Sequence, residues 1–256
     1  MSKVDFILLH GFLGLPRDWE NVIENINADL EGSGIEGVYH KIDYFNRPNL
    51  GPKNKLETVA PEFINYISSI ASHPRKVLVG YSLGGRMALH IFEKNPEMFE
   101  HLVLVSTHPG LKPFQEPEIK ERESRDLFWS ELFLNHNCEE VVQKWNEQSV
   151  FEGSEFEPER DASHYRRDLL SKALVNWSLS KQADKRMILK RHSKKISFVI
   201  GERDKKFIEL GRTFMSEIPD IHLEMISLAG HRVLFDNALE LAKVISASVL
   251  TPAKKN

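Results

Sequence analysis

A chain of 256 residues with 41% apolar residues, 28% charged residues and a formal net charge of −3 can bury a substantial core. It is too near neutrality to favour nucleic acid or an anionic membrane surface. One cysteine, Cys138, excludes an internal disulfide, and no window has the length and apolarity of a transmembrane helix, so cytoplasmic residence is expected.

The first predicted strand covers 4–10, too short and too charged at its start (Lys3, Asp5) for a signal peptide. It leads into His10-Gly11-Phe12-Leu13-Gly14. Then come a helix at about 18–30, a strand at 37–42, a helix at 57–72, a strand at 76–81, a helix at 83–95 and a strand at 101–106. This alternation predicts a mostly parallel sheet covered by helices. From 111 to 190 the strand-like runs stop and helical spacing takes over, first at Leu127, Phe128, Leu132 and Phe133, then at Val141, Val142 and Trp145. Acidic residues outnumber basic ones in this stretch, so any anion site within it must be local. Alternation returns with a strand at 196–200, a helix at 207–217 and a strand at 222–226, and a frayed tail is expected at 251–256. The expected organisation is a core formed by 1–110 and 191–256, with 111–190 inserted as a helical cap.

Gly80-Tyr81-Ser82-Leu83-Gly84-Gly85-Arg86 stands between the apolar Val77-Leu78-Val79 and the helix-forming run that starts at Met87. A G-x-S-x-G sequence between strand and helix is a nucleophile elbow, whose tight turn holds the serine hydroxyl at the helix N-terminus. Two partners follow in chain order. Asp204 ends Gly201-Glu202-Arg203-Asp204, and His231 ends Ala229-Gly230-His231, each directly after a predicted strand. Both would emerge at the carboxyl ends of neighbouring parallel strands. Asp204 would orient His231, which would take a proton from Ser82. The backbone N–H groups of Phe12 and Leu83 are the expected oxyanion donors. No metal or organic cofactor is expected, and Cys138, beside Glu139 and Glu140, has no activating setting.

These motifs place the chain near the α/β-hydrolase superfamily. Arginine four residues after the serine, His108-Pro109-Gly110-Leu111, the 120–126 run, and Trp145-Asn146-Glu147-Gln148-Ser149-Val150-Phe151 narrow the likeness. Together they resemble the 2-succinyl-6-hydroxy-2,4-cyclohexadiene-1-carboxylate synthases, lyases of menaquinone biosynthesis. The resemblance implies an α/β-hydrolase fold with an inserted helical cap. It also implies elimination of pyruvate from 2-succinyl-5-enolpyruvyl-6-hydroxy-3-cyclohexene-1-carboxylate through triad-assisted proton abstraction. Arg86 and Arg122 would clamp the substrate carboxylates with a third arginine, for which Arg166 is favoured over Arg160 and Arg167. Trp145 would be a pocket wall and Tyr81 a neighbour of the nucleophile.

Read without the resemblance, Arg122 pairs with Asp126 at i,i+4, Trp145 is core, and the triad serves equally in a serine carboxylesterase or thioesterase. Two segments depart from the family pattern: the loop 43–52, which lacks Gly-His-Gly, and the stretch 174–180.

Overall fold

A computed structural model describes residues 1–47, 49–218 and 220–250; the expected frayed tail lies outside the described residues. Six strands form one wholly parallel sheet: β1 (Ser2–Leu9), β2 (Ile35–Ile42), β3 (Arg75–Tyr81), β4 (His101–Val105), β5 (Ile196–Gly201) and β6 (His222–Ile226). Their spatial order is β2-β1-β3-β4-β5-β6. The register pairs Leu9 of β1 with Gly80 of β3, and Tyr81 of β3 with Val105 of β4, so these carboxyl ends finish side by side.

Helices cover both faces, which is why the central strands read as nearly unbroken apolar runs. Successive residues serve opposite layers. Ile7, Leu9, Leu78, Leu102 and Leu104 pack with α2 (Leu56–Ile70), α3 (Leu83–Lys94) and α8 (Lys205–Glu217). Phe6, Leu8, Val77, Val79, Val103 and Val105 pack with α1 (Glu20–Leu30) and α10 (Ala238–Leu250). A short helix, α9 (Val233–Asp236), leads into α10.

Between β4 and β5 the chain leaves the sheet and forms α4 (Glu116–Asn135), α5 (Cys138–Asn146), α6 (Arg167–Asn176) and α7 (Arg186–Arg191). Asp126, Trp129, Ser130 and Phe133 make the buried stripe of α4, and Ser130 Oγ meets Ser171 Oγ of α6 at 2.8 Å. Leu13, Trp129, Phe133, Val141, Val142, Leu170 and Leu174 gather into a separate apolar cluster that meets the core at Phe12 and Phe45. The two ends of the excursion are stitched together, Lys185 N–H donating to Pro109 O at 2.8 Å. Leu189 of α7 packs with the sheet, inside the stretch assigned from sequence to the cap. Among the described residues no helix is long and apolar enough to cross a membrane.

Candidate active site

Ser82 occupies the single residue between β3 and α3, at φ 52° and ψ −111°. A serine is strained in this region, and the surrounding packing holds it there. A Cβ on Gly80 would lie 2.5 Å from Gly84 O, and one on Gly84 would lie 2.3 Å from Leu9 O. Only glycine lets the elbow close so tightly against β1. Ser82 N–H donates to Val105 O at 2.8 Å, tying the turn to β4 as well.

Asp204 follows β5 and caps α8, its Oδ1 accepting from Phe207 N–H at 3.2 Å. Its Oδ2 faces His231 Nδ1 at 2.8 Å, and His231 Nε2 lies 3.2 Å from Ser82 Oγ. A carboxylate only accepts, so Nδ1 carries the proton and Nε2 is left to accept from the serine hydroxyl. The imidazole is enclosed by the rings of Phe207, Tyr81 and Phe151, with centroids 5.0, 5.7 and 5.8 Å away. That packing fixes its orientation and keeps bulk water from its faces.

The loop after β1 approaches the elbow closely: a Cβ on Gly11 would lie 3.5 Å from Ser82 Cβ. His10 stacks on Tyr44 at 4.3 Å, and Tyr44 O–H donates to His10 O at 2.6 Å, which steadies this loop. Phe12 and Leu83 both border the space above Ser82, and among the described hydrogen bonds neither N–H has a protein acceptor.

That space is a cavity of about 230 Å³, walled on one side by the elbow and on the other by α4, α5 and α6. Tyr81, Trp145, Val150, Phe151, Leu174 and Trp177 give it an apolar lining. Trp145 serves both expected roles, since it lines the cavity and also packs on Phe12 at 4.6 Å and Trp129 at 5.0 Å.

Arg86 lies on the first turn of α3 and is buried. Its Nε donates to Gln182 Oε1 at 2.5 Å and its Nη2 to Trp177 O at 2.6 Å, leaving Nη1 without a protein acceptor among the described bonds. Burial, reinforced by the charge of Arg122, pushes its guanidinium down to about 9, so it stays charged at neutral pH. Arg122 enters from α4; its Nε donates to Asp126 Oδ2 at 2.8 Å while the side chain still borders the cavity. The i,i+4 pair and the pocket position therefore coexist.

Arg166 does not reach the cavity. Its side chain is 63% exposed and lies 3.4 Å from Asp168. Its neighbours are committed elsewhere. Arg167 donates to the carbonyls of Phe133, Leu134 and His136 at the end of α4. Arg160 forms a two-pronged bridge to Asp18, at 2.8 Å on each arm. The cations that do line the cavity beside Arg86 and Arg122 are Arg125 and Lys206, which sequence reasoning passed over inside charge-rich runs. The spacing of Arg122 and Arg125 on one helix face was the available signal for the first of them. His108 also borders the cavity; burial, with Lys206, Arg86, Arg186 and Arg122 nearby, holds its imidazole well below the ordinary value and neutral.

The two departing segments pack against each other. Trp177 lies 5.8 Å from Tyr44 and 5.9 Å from Phe45, ring to ring, and its Nε1 donates to Asn54 O at 2.9 Å. Trp177, whose carbonyl accepts from Arg86, thus joins the two segments beside that arginine.

Chemically, such a site belongs to the serine-dependent class of α/β enzymes, with its reactive groups on the loops at the carboxyl edge of the sheet. The model of the alpha/beta hydrolase family matches residues 6–244. The chain is 30% identical to the 2-succinyl-6-hydroxy-2,4-cyclohexadiene-1-carboxylate synthase of Enterobacter sp., over 94% of this chain and 89% of that protein. The enzyme of that name from Klebsiella pneumoniae is also 30% identical, over 90% of this chain and 88% of its own. It follows that the chain belongs to the alpha/beta hydrolase family and, within it, to these synthases. A solved structure of MenH from S. aureus shares the fold, with a TM-score of 0.77 at 20% identity over 97% of this chain and 94% of that one.

Proposed function

We propose that this protein is a carbon–oxygen lyase of menaquinone biosynthesis, eliminating pyruvate from 2-succinyl-5-enolpyruvyl-6-hydroxy-3-cyclohexene-1-carboxylate. The observation that carries this reading is the conjunction of the Ser82–His231–Asp204 relay with Arg86 and Arg122 in one cavity. His231 Nε2 accepts the Ser82 proton, and Ser82 Oγ removes the ring C2 proton α to the succinyl ketone. The negative charge moves to the ketone oxygen, against the N–H groups of Phe12 and Leu83. As the enolate collapses, a C2–C3 double bond forms, the ring double bond shifts to C4–C5, and the C5–O bond breaks. The departing enolpyruvate takes up the proton and becomes pyruvate. Arg86 and Arg122 hold carboxylates of the substrate, and Trp145 and Tyr81 wall the ring. Residues 111–190 act as a cap that keeps water from the enolate. A free thiol at Cys138 agrees with residence in the reducing cytoplasm.

An esterase or thioesterase would use the same three residues but would leave the arginines without a ligand. The test follows pyruvate release from freshly generated substrate against the spontaneous background. Ser82→Ala is expected to lower kcat by about a thousandfold. Arg86→Ala and Arg122→Ala should each lower kcat/KM by about a hundredfold. Near-normal release by Ser82→Ala would end this reading. Turnover of simple aryl esters that both arginine variants retain, without pyruvate release, would replace it with a hydrolase.

A further inference from the structure

The cavity holds four cationic side chains, and they are not equivalent. Arg86 is locked to Gln182 and the Trp177 carbonyl, and Arg122 is paired with Asp126. Arg125 and Lys206, by contrast, have no acid partner among the described residues, and both are exposed at the mouth. They come from opposite walls, Arg125 from α4 and Lys206 from the first turn of α8, two residues after Asp204. They are nonetheless close enough to feel each other. Desolvation first, then the charges of Arg122 and Arg125, lower the Lys206 ammonium from its ordinary value. Asp204 and Asp126 act in the opposite sense, but they are bonded to His231 and Arg122 and neither bridges Lys206, so the repulsion is offset only in part and a bound anion relieves the rest.

The position is also suited to an extended ligand. Lys206 and His108 border both the Ser82 cavity and an adjoining groove of about 530 Å³, whose walls include Arg212 and Glu209 together with Lys112 and Arg186, both paired with Glu217. A carboxylate on a flexible arm, leaving a ring seated beside Ser82, would pass between Lys206 and Arg125 on its way to this groove. Arg166, Arg167 and Arg160 are all occupied or turned away.

We propose that Arg125 and Lys206 form the third carboxylate anchor of this site, gripping the distal carboxylate of the succinyl arm at the cavity mouth. The assignment rests on the polycarboxylate substrate proposed above, and it replaces a cap arginine with one residue from the cap and one from the core.

The experiment compares two stable aromatic probes by titration calorimetry: 2-succinylbenzoate, which carries the arm, and 2-methylbenzoate, which lacks it. The protein should bind the first more tightly. Lys206→Gln and Arg125→Gln should each weaken 2-succinylbenzoate by about tenfold and leave 2-methylbenzoate unmoved. Lys206→Arg, which keeps the charge, should recover most of the loss. Equal weakening of both probes, or of neither, would overturn the anchor, as would equal affinity of the unmodified protein for the two. Because this readout needs no turnover, the two proposals fail separately. A protein that discriminates the probes but never releases pyruvate would lose its proposed reaction and keep its anchor.

Discussion

Gly84 leaves no room for a side chain, because the carbonyls of Leu9 and His10 lie 2.3 and 2.4 Å from where its Cβ would be. Gly84→Ala should therefore cost about 3 kcal/mol in urea unfolding, by forcing β1 away from the elbow. A loss below half that value would show that the loop yields easily and that the elbow is not clamped. Ser82, Asp204 and His231 were legible in the sequence for a related reason: each sits within a few residues after a strand, in a short turn or loop whose backbone path largely decides where it points. Side chains on long flexible stems are different. Arg160, Arg166 and Arg167 are the same residue type within one short stretch, and only docked neighbours, Asp18 for one and the α4 carbonyls for another, determine their directions. Arg125 and Lys206 were hidden for the opposite reason, since charge runs such as 120–126 and 203–206 usually mark solvated surface.

Strands and helices of the core fall within a few residues of their predicted places, from β1 at Ser2–Leu9 to α8 at Lys205–Glu217. Buried alternation and glycine punctuation are local signals, so they survive into the fold. What periodicity could not show is how the helical excursion is fastened. Its seam at Pro109 and Lys185, and the bridge from Arg160 to Asp18, join residues far apart in sequence. Both partners of that bridge are nearly buried, with side chains 8% and 6% exposed. Arg160→Ala strands the Asp18 carboxylate and should destabilise the protein by about 3 kcal/mol, read by urea unfolding. The double variant Arg160→Ala with Asp18→Asn should recover part of that loss. If it recovers none, the bridge is not what holds this segment to the core. Leu189 of the short helix α7 packs among core residues, a contact that six residues carry too little periodicity to reveal.

Across the whole molecule, buried histidines set the response to acid. His90 on α3 is 1% exposed, and among the described residues neither ring nitrogen has a hydrogen-bond partner. Burial lowers it from 6.5 to about 3, and burial lowers His101 on β4 to about 4. Because the folded values lie below the unfolded one, the unfolded chain binds more protons between these limits. Stability from this source is complete above pH 6.5 and declines as the pH falls toward 3. For His90 alone the loss should reach about 2 kcal/mol at pH 5. Urea unfolding at pH 7 and pH 5 measures it, and His90→Leu should shrink the difference by about that amount, leaving the share of His101 and the other lowered histidines; an unchanged difference would assign the acid response to those other groups. The insertion between β4 and β5 has a further consequence, one of time. β1 to β4 meet through short connections, but β5 can find β4 only after the chain from Val105 to Ile196 has closed on itself. Each doubling of such a loop adds about 0.6 kcal/mol to the entropy of closure. Ser82 lies before that closure, whereas Asp204 and His231 lie after it. On refolding from denaturant, helical signal should thus return ahead of activity, and the Ser82 turn should stand in place before His231 can come within reach of it.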